Sequence, residues 1–298
     1  MSDSPPRFTP MSSTRLYFSA RTGRNPSGAN YEFDTLRRLF LISFRNLEAA
    51  AYFQEAFGFN CVDEGWLDGT AGPNLDAFFF QRAGKNELWP FDPNEKHTSP
   101  WGGVQSEDDL FDVIEVLFDI VSQPVEGWDH PYNSCGWHGE TFDRKSGQST
   151  FRSEMNRLLA RYGPGWELSI GGEIMLRGEP GLRDLLSTPL PASADPQNVK
   201  MRVQHAVRQF RLRGSSLNDR RQAVRELADV LEFLRPRLKQ ILTRKDEGDL
   251  FNIANNFGIR HHNDQQQTGY EQAIWLSWMF HYYLATIHMA TRRLELEK

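Results

Sequence analysis

The sequence predicts a mainly α protein in which an α+β N-terminal domain precedes an antiparallel four-helix bundle. In the C-terminal third, apolar residues recur at helical spacing over four segments, roughly 198–213, 217–244, 250–260 and 268–297. Short polar loops separate these segments, and short loops make successive helices antiparallel neighbours. Upstream, helical patterns alternate with Gly- and Pro-containing turns, which is typical of a mixed α+β domain.

Length and composition indicate two globular domains. A chain of 298 residues is long enough for two domains of about 100 to 200 residues each. Its hydrophobic content of 39% and its eight tryptophans provide more large apolar surface than a disordered chain carries. We therefore expect a disordered tail (1–14), an acidic α+β sensing or regulatory domain (15–186), a Pro-rich linker (187–197) and a basic helical domain (198–298).

Local signals predict the elements of the N-terminal domain. A stripe of apolar residues from Leu36 onward predicts a helix that ends at Gly58 as a C-cap. Ser106 precedes an acidic first turn and is expected to be an N-cap. A further helix, TFRSEMNRLLARYG, is expected to end before Gly163, and Gly171 with Gly172 predicts the turn of a β-hairpin.

In the C-terminal domain the second helical segment has the clearest pattern. Val224, Leu227, Leu231 and Leu234 form one apolar stripe along it. Pro236 is expected to kink or split this helix, because proline lacks the amide hydrogen that an interior position donates.

The two halves differ in charge. Residues 1–195 contain 17 Lys and Arg against 28 Asp and Glu, whereas residues 196–298 contain 17 against 11. A basic half is suited to a polyanion, and Arg220, Arg221 and Arg225 are our candidate RNA-binding residues. Alternatively, the two halves complement each other electrostatically.

The sequence favours a cytoplasmic protein that does not enter the membrane. Two cysteines are too few for a disulfide framework, and the N-terminus lacks a signal pattern. The most apolar run, residues 273–290, has no charged side chain, but it includes His281 and His288 and falls short of the about 20 apolar residues of a membrane span.

The stretch NNFGIRHHN at 255–263 presents a possible catalytic group. Asn256 and Arg260 lie one helical turn apart, and His261 and His262 follow directly. Cleavage of RNA without a metal requires a base, an acid and a cation near the phosphorus, and these side chains supply all three. The alternative is structural, since Arg and His in a last helical turn stabilise the helix dipole.

A second cluster occurs in the loop WDHPYNSCGWHGETFD. His130, Cys135 and His138 have a spacing that can supply three zinc ligands, but a structural zinc site requires four. The competing interpretation is an aromatic, turn-rich surface loop. No phosphate-binding glycine loop or HExxH pattern is present, and no cofactor is expected.

Three segments, RRQAVRELADVLEFLRP, LFNIANNFGIRHHNDQ and YEQAIWLSWMFHYYLATI, resemble the HEPN superfamily, and more narrowly the HEPN-like modules of bacterial abortive-infection proteins. The resemblance covers about a third of the chain. It implies a homodimer or higher homo-oligomer with RNA as partner, a toxin or antiviral-defence role, and a phage-derived or host protein as trigger. It also implies cleavage by a metal-independent ribonuclease, with His261 or His262 as acid and base, Arg260 as cation and Asn256 as orienting group.

The sequence departs from the nuclease motif of that family, in which four to six intervening residues separate an arginine from the histidine that follows it. Asn255 and Asn256 lie at that spacing, and Arg260 adjoins the histidines instead. Either Arg260 contacts the phosphate in place of the usual arginine, or the domain binds RNA, a nucleotide or a protein without cutting. A metal-dependent activity of the N-terminal half is the third hypothesis.

Overall fold

A computed structural model describes residues 18–22, 30–91, 103–179, 181–240 and 271–296, together with Pro5, Pro6, Phe8, Thr243, Lys245 and Gly248. The chain forms two compact units, Met1–Ile174 and Met175–Lys298. Helices predominate in the described residues, and the strands pair as three two-stranded antiparallel hairpins. A mainly α protein with small β elements is thus confirmed. Most of the expected disordered tail, 1–14, lies outside the described residues.

The first unit combines helices with the three hairpins. Its helices are α1 (Phe18–Arg21), α2 (Phe33–Ala49), α3 (Gln54–Phe57), α4 (Leu75–Ala83), α5 (Glu107–Ile120) and α6 (Arg144–Leu159). Its strands are β1 (Gly58–Cys61), β2 (Gly65–Asp68), β3 (Gln123–His130), β4 (Gly136–Asp143) and β5 (Trp166–Leu168), and a last strand, β6 (Ile174–Leu176), begins at the final residue of the unit.

The core of the first unit is rich in aromatic rings. Helix α6 packs against α2 and α5, and their apolar faces are buried. Phe44 of α2 has its ring centroid 5.2 Å from that of Phe53 and 5.0 Å from that of Phe91. Phe53 in turn contacts Phe151 of α6 at 6.1 Å. These contacts pack the turn between α2 and α3 into the core, and β1 starts directly after α3.

Several sequence predictions for this unit are confirmed. Ser106 caps α5 in a capping box with Asp109, Gly58 is the C-cap of α3, and Gly172 takes a positive φ of 87° in the β5–β6 turn. The helix predicted to run unbroken to Gly58 is interrupted, because Ala51 adopts a φ of 63° after α2.

The second unit is helical. A short α7 (Arg183–Ser187) and a π-helical turn (Pro196–Met201) precede α8 (Arg202–Arg211), α9 (Leu217–Leu238) and α10 (Gln272–Glu295). Helix α9 packs against both α8 and α10. Its predicted stripe of Val224, Leu227, Leu231 and Leu234 is buried in their common core. Ser216 caps α9 through a capping box with Asp219.

The second unit begins before the Pro-rich segment 187–197 that we expected to be the linker. Leu190 and Ala194 of this segment pack against the core of the unit, and the Ser193 hydroxyl donates to a Glu295 carboxylate oxygen at 2.9 Å. Pro236 does not divide α9, which continues to Leu238. The predicted helix 250–260 lies outside the described residues.

The apolar run at 273–290 forms most of α10. Its residues Leu276, Phe280, Leu284 and Ile287 are buried in the core of the second unit. None of the helices in the described ranges has the length and apolar character needed to cross a bilayer.

Candidate metal centre

The β1–β2 hairpin positions one cysteine. Cys61 ends β1, pairs with Gly65 across the hairpin and is buried. Gly58 starts the strand with a φ of 79°, and a side chain there would overlap the backbone oxygen of Leu67. Only glycine fits this combination of positive φ and close strand approach. The start of the hairpin, and with it the position of Cys61, therefore depends on Gly58.

The β3–β4 hairpin positions two histidines and the second cysteine. Its register pairs Trp128 with His138 and His130 with Gly136, so His130 and His138 lie near the same end of the hairpin. The connecting loop turns through Asn133, with a φ of 50°, and Gly136, with a φ of 96°. Cys135 lies between these two residues and thereby next to both histidines.

The two hairpins bring four ligand atoms together. One atom from each of Cys61, His130, Cys135 and His138 lies within 4.8 Å of all the others. Cys61 Sγ is 3.7 Å from His130 Nδ1, and Cys135 Sγ is 3.1 Å from His138 Nε2. With Zn–S near 2.3 Å and Zn–N near 2.0 to 2.1 Å, a tetrahedral zinc site has ligand–ligand distances of roughly 3.3 to 3.8 Å. The observed spacing fits a Cys2His2 zinc site after small adjustments.

Asp63 determines which nitrogen of His130 faces the cluster. Its Oδ2 lies 3.2 Å from His130 Nε2, on the side of the ring opposite Nδ1. A carboxylate that accepts a hydrogen bond from Nε2–H keeps the proton there and leaves the Nδ1 lone pair for a metal. Zinc-bound histidines in proteins are oriented by the same arrangement.

The electrostatics of the cluster favour the neutral imidazole of His138. Burial lowers the pKa of His138 below its usual value and His130 lowers it further, whereas Glu64 and Asp129 act in the opposite direction. A metal ligand must be the neutral form of the ring. Two thiolates, two neutral imidazoles and one Zn²⁺ have no net charge, so such a site can be buried at low electrostatic cost.

Aromatic side chains surround the histidines. The ring centroids of Phe59 and Trp128 each lie 4.5 Å from that of His138, and Trp128 also lies 5.0 Å from His130. His138 is 5% exposed. This apolar shell limits the access of water, which strengthens metal–ligand interactions inside it.

The residue composition of the cluster favours a metal site over a catalytic thiol. The 3.1 Å contact between Cys135 and His138 is within reach for a nucleophile and its base. A nucleophile, however, needs no second cysteine and no second histidine aimed at the same point. Four converging N and S ligands leave no open position, which is typical of structural rather than catalytic zinc.

The structure brings together the three residues that the sequence marked as zinc candidates, His130, Cys135 and His138, and adds the fourth ligand that their spacing lacks. Cys61 and its neighbour Asp63 were missed because Cys61 is 69 residues from His130 along the chain. The one available signal was that Cys61 and Cys135 are the only cysteines in the sequence.

The predicted RNA-binding arginines lie on α9. The guanidinium of Arg220 lies 5.6 Å from the ring centroid of Phe210, and Arg221 Nη2 donates to Gln272 Oε1 at 3.3 Å. Arg225 is exposed. Two of the three thus also support the packing of the second unit.

The predicted catalytic residues Asn256, Arg260, His261 and His262 lie outside the described residues. The interpretations of NNFGIRHHN as a catalytic centre or as a helix terminus therefore stay sequence-based hypotheses. The chain matches no protein-family model, no curated protein and no solved structure.

Proposed function

We propose that this protein binds one Zn²⁺ through Cys61, His130, Cys135 and His138, and that the metal has a structural role in the first unit. The observation that carries the proposal is the convergence of these four ligand atoms within 4.8 Å of one another. The proposal departs from the sequence-based expectation of no cofactor.

The ligand set selects the metal. Calcium and magnesium bind through oxygen atoms, whereas two thiolates and two imidazoles in tetrahedral order favour zinc. Cys61 and Cys135 are free thiols rather than a disulfide. Both are therefore available as thiolate ligands.

The metal would connect two hairpins of the first unit that are separated along the chain by helices α4 and α5. It would tie the β1–β2 hairpin to the β3–β4 hairpin through one ligand from the first and three from the second. Isolated two-stranded hairpins are marginally stable in water. The binding energy of zinc would thus contribute to the folding stability of this region.

The test is metal content and spectroscopy on the full chain. We expect wild-type protein purified without chelator to contain one equivalent of zinc. After exchange with Co²⁺, it should show the visible bands of a tetrahedral site with thiolate ligands. Cys61→Ser and His138→Gln should lower the metal content and the intensity of these bands.

A histidine outside the cluster provides the control. His205 lies on α8, and its Nδ1 is 2.6 Å from Glu226 Oε2. His205→Gln should retain one equivalent of zinc. A folded wild-type protein that contains no zinc and does not take up Co²⁺ would contradict the proposal.

A second proposed function concerns the basic half. We propose that the second unit is an HEPN-like four-helix bundle that binds RNA and cleaves it without a metal, in a toxin or phage-defence role. The net positive charge of residues 196–298 and the exposed Arg225 support RNA binding. The alternative is a non-catalytic module that binds RNA, a nucleotide or a protein.

The RNA proposal is tested on full-length protein with labelled RNA. Cleavage is expected to yield cyclic-phosphate ends and to be lost in the His261→Ala/His262→Ala double variant. It should persist after a brief treatment with chelator, with zinc content measured in parallel, because loss of a structural metal can reduce activity indirectly. Unchanged cleavage by the double variant would contradict the catalytic role of these histidines.

A further inference from the structure

The surface around the metal centre exposes apolar side chains. Tyr132 is 67% exposed, Trp128 43% and Val62 37%. The ring centroid of Trp128 lies 5.0 Å from that of His130, and the ring centroid of Tyr132 lies 6.4 Å from that of His130. Val62 directly follows Cys61. The two rings thus border the metal centre, and exposed Val62 is the sequence neighbour of one of its candidate ligands.

Carboxylates accompany these apolar groups. Asp63, whose side chain is 64% exposed, contacts His130. Glu64 and Asp129 are exposed and close enough to His138 to affect its pKa. We call the six side chains Val62, Asp63, Glu64, Trp128, Asp129 and Tyr132 the aromatic–acidic surface.

The β1–β2 and β3–β4 hairpins both carry negative charge. Residues 58–68 and 123–143 include seven Asp and Glu and no Lys or Arg. A zinc ion with two thiolates would not offset this charge, because the site itself is neutral. The two hairpins therefore present a negative field with exposed aromatic rings.

We infer that the aromatic–acidic surface binds a lysine- or arginine-rich segment of another protein. Charge complementarity argues for a cationic partner, since carboxylates attract Lys and Arg and repel phosphates. The rings of Trp128 and Tyr132 provide faces on which a guanidinium or ammonium group can stack. The same charges argue against nucleic acid as the ligand of this surface. The inference rests on the proposed zinc site, because the metal would hold the two hairpins that share the surface.

The experiment uses the zinc-loaded full chain and fluorescein-labelled peptides of alternating glycine with arginine, lysine or glutamate. We expect the arginine and lysine peptides to bind with an affinity that falls as salt rises, and the glutamate peptide not to bind. Asp129→Asn and Tyr132→Ala should each weaken binding, the latter by about two- to fivefold for the loss of one exposed cation–π contact.

The matched controls are on α4 of the same unit. Phe80 is 45% exposed and Asp76 is exposed, so Phe80→Ala and Asp76→Asn remove an exposed aromatic ring and an exposed carboxylate elsewhere in the unit. These variants should bind the cationic peptides as the wild-type protein does. Equal weakening by both pairs, or no binding of cationic peptides at low salt, would overturn the inference.

Measurements of zinc content and of RNA binding distinguish failure of the metal site from failure of the peptide-binding surface. Asp129→Asn and Tyr132→Ala should keep one zinc per chain, so that their loss of peptide binding reports on the surface. A wild-type protein that contains no zinc would refute the proposed metal site. Zinc-loaded protein that does not bind the cationic peptides would refute only the proposed role of the aromatic–acidic surface. Single-stranded RNA that loses affinity in these two variants would assign the surface to nucleic acid and also overturn the inference.

Discussion

His130 is held between Asp63 and Cys61, with its Nε2 3.2 Å from the Asp63 carboxylate and its Nδ1 3.7 Å from the Cys61 thiol. One imidazole thereby connects the turn after β1 to the end of β3. The contact with Asp63 orients the ring so that Nδ1 faces the cluster as the candidate ligand atom.

We expect Asp63→Asn and Asp63→Ala to weaken zinc affinity by roughly 10- to 100-fold, as the loss of a partner behind a metal-bound histidine typically does. Competition with a chelating dye measures this change. Asp68→Asn is the control, because it removes an exposed carboxylate of the same hairpin, at the end of β2, without removing the Asp63 contact with His130. Equal affinities of the Asp63 and Asp68 variants would contradict the orienting role.

The second prediction concerns the close approach of the strands behind the metal centre. A side chain at Gly127 would overlap the backbone oxygen of His138 and the ring of Trp137. We expect Gly127→Ala to cost about 1 to 3 kcal/mol, as overpacking does, and to weaken zinc binding because His138 is displaced. Gly171→Ala, in an exposed turn, should change stability by less than about 0.5 kcal/mol. Chemical denaturation with and without zinc compares the two.

Local sequence signals were sufficient to predict the features that depend only on residues close together in the sequence. Ser106, Gly172 and the stripe on α9 were predictable because a cap, a positive φ and a helical period involve residues close in sequence. The metal centre was only half predictable. His130, Cys135 and His138 lie in one hairpin, whereas Cys61 joins them through the packing of another hairpin, which no local pattern encodes.

The third prediction concerns the cap of α5. Ser106→Ala should lower stability by about 1 kcal/mol, because the Ser106 hydroxyl accepts from the Asp109 amide at 3.2 Å. Burial raises the pKa of Asp109, but hydrogen bonds with Ser106 and Lys85 outweigh it, and the pKa lies below its usual value.

A depressed pKa in the folded state has a defined pH dependence. The contribution of Asp109 to stability is fully present above the usual carboxyl pKa of about 3.9 and is lost as the pH falls through the lower folded value. The difference in unfolding free energy between wild type and Asp109→Asn should therefore shrink below about pH 4. A difference that is constant from pH 6 to pH 3 would show that the charge of Asp109 does not contribute.

The fourth prediction separates the roles of the α9 arginines. If the second unit binds RNA, Arg225→Glu should weaken binding to all sequences and reduce its salt dependence, because a phosphate contact is lost. Arg220→Ala should instead lower thermal stability, since its guanidinium packs over Phe210. Binding isotherms at several salt concentrations, with a melting curve for each variant, distinguish these effects. Unchanged RNA affinity in Arg225→Glu would exclude Arg225 from the contact.

The last prediction distinguishes a structural zinc site from a catalytic thiol at Cys135. Cys135 Sγ lies 3.1 Å from His138 Nε2, where an imidazole can accept the thiol proton, and Cys135 is half-buried whereas Cys61 is buried. A free thiolate reacts readily with iodoacetamide. A thiolate bound to zinc reacts more slowly, because its lone pairs are shared with the metal.

We therefore expect rapid alkylation of Cys135 after chelation, slow alkylation in the zinc form, and recovery of protection when zinc is restored. Peptide mapping by mass spectrometry locates the modification, and Cys135→Ser controls for reaction at Cys61.

If Cys135 served as a nucleophile, it would stay reactive with zinc present. His138→Gln would then slow alkylation by removing the base. Under the structural interpretation the same substitution speeds alkylation in zinc-containing buffer, because a site with three ligands holds the metal less tightly and exposes the thiolate. The sign of the change in alkylation rate in His138→Gln decides between the two.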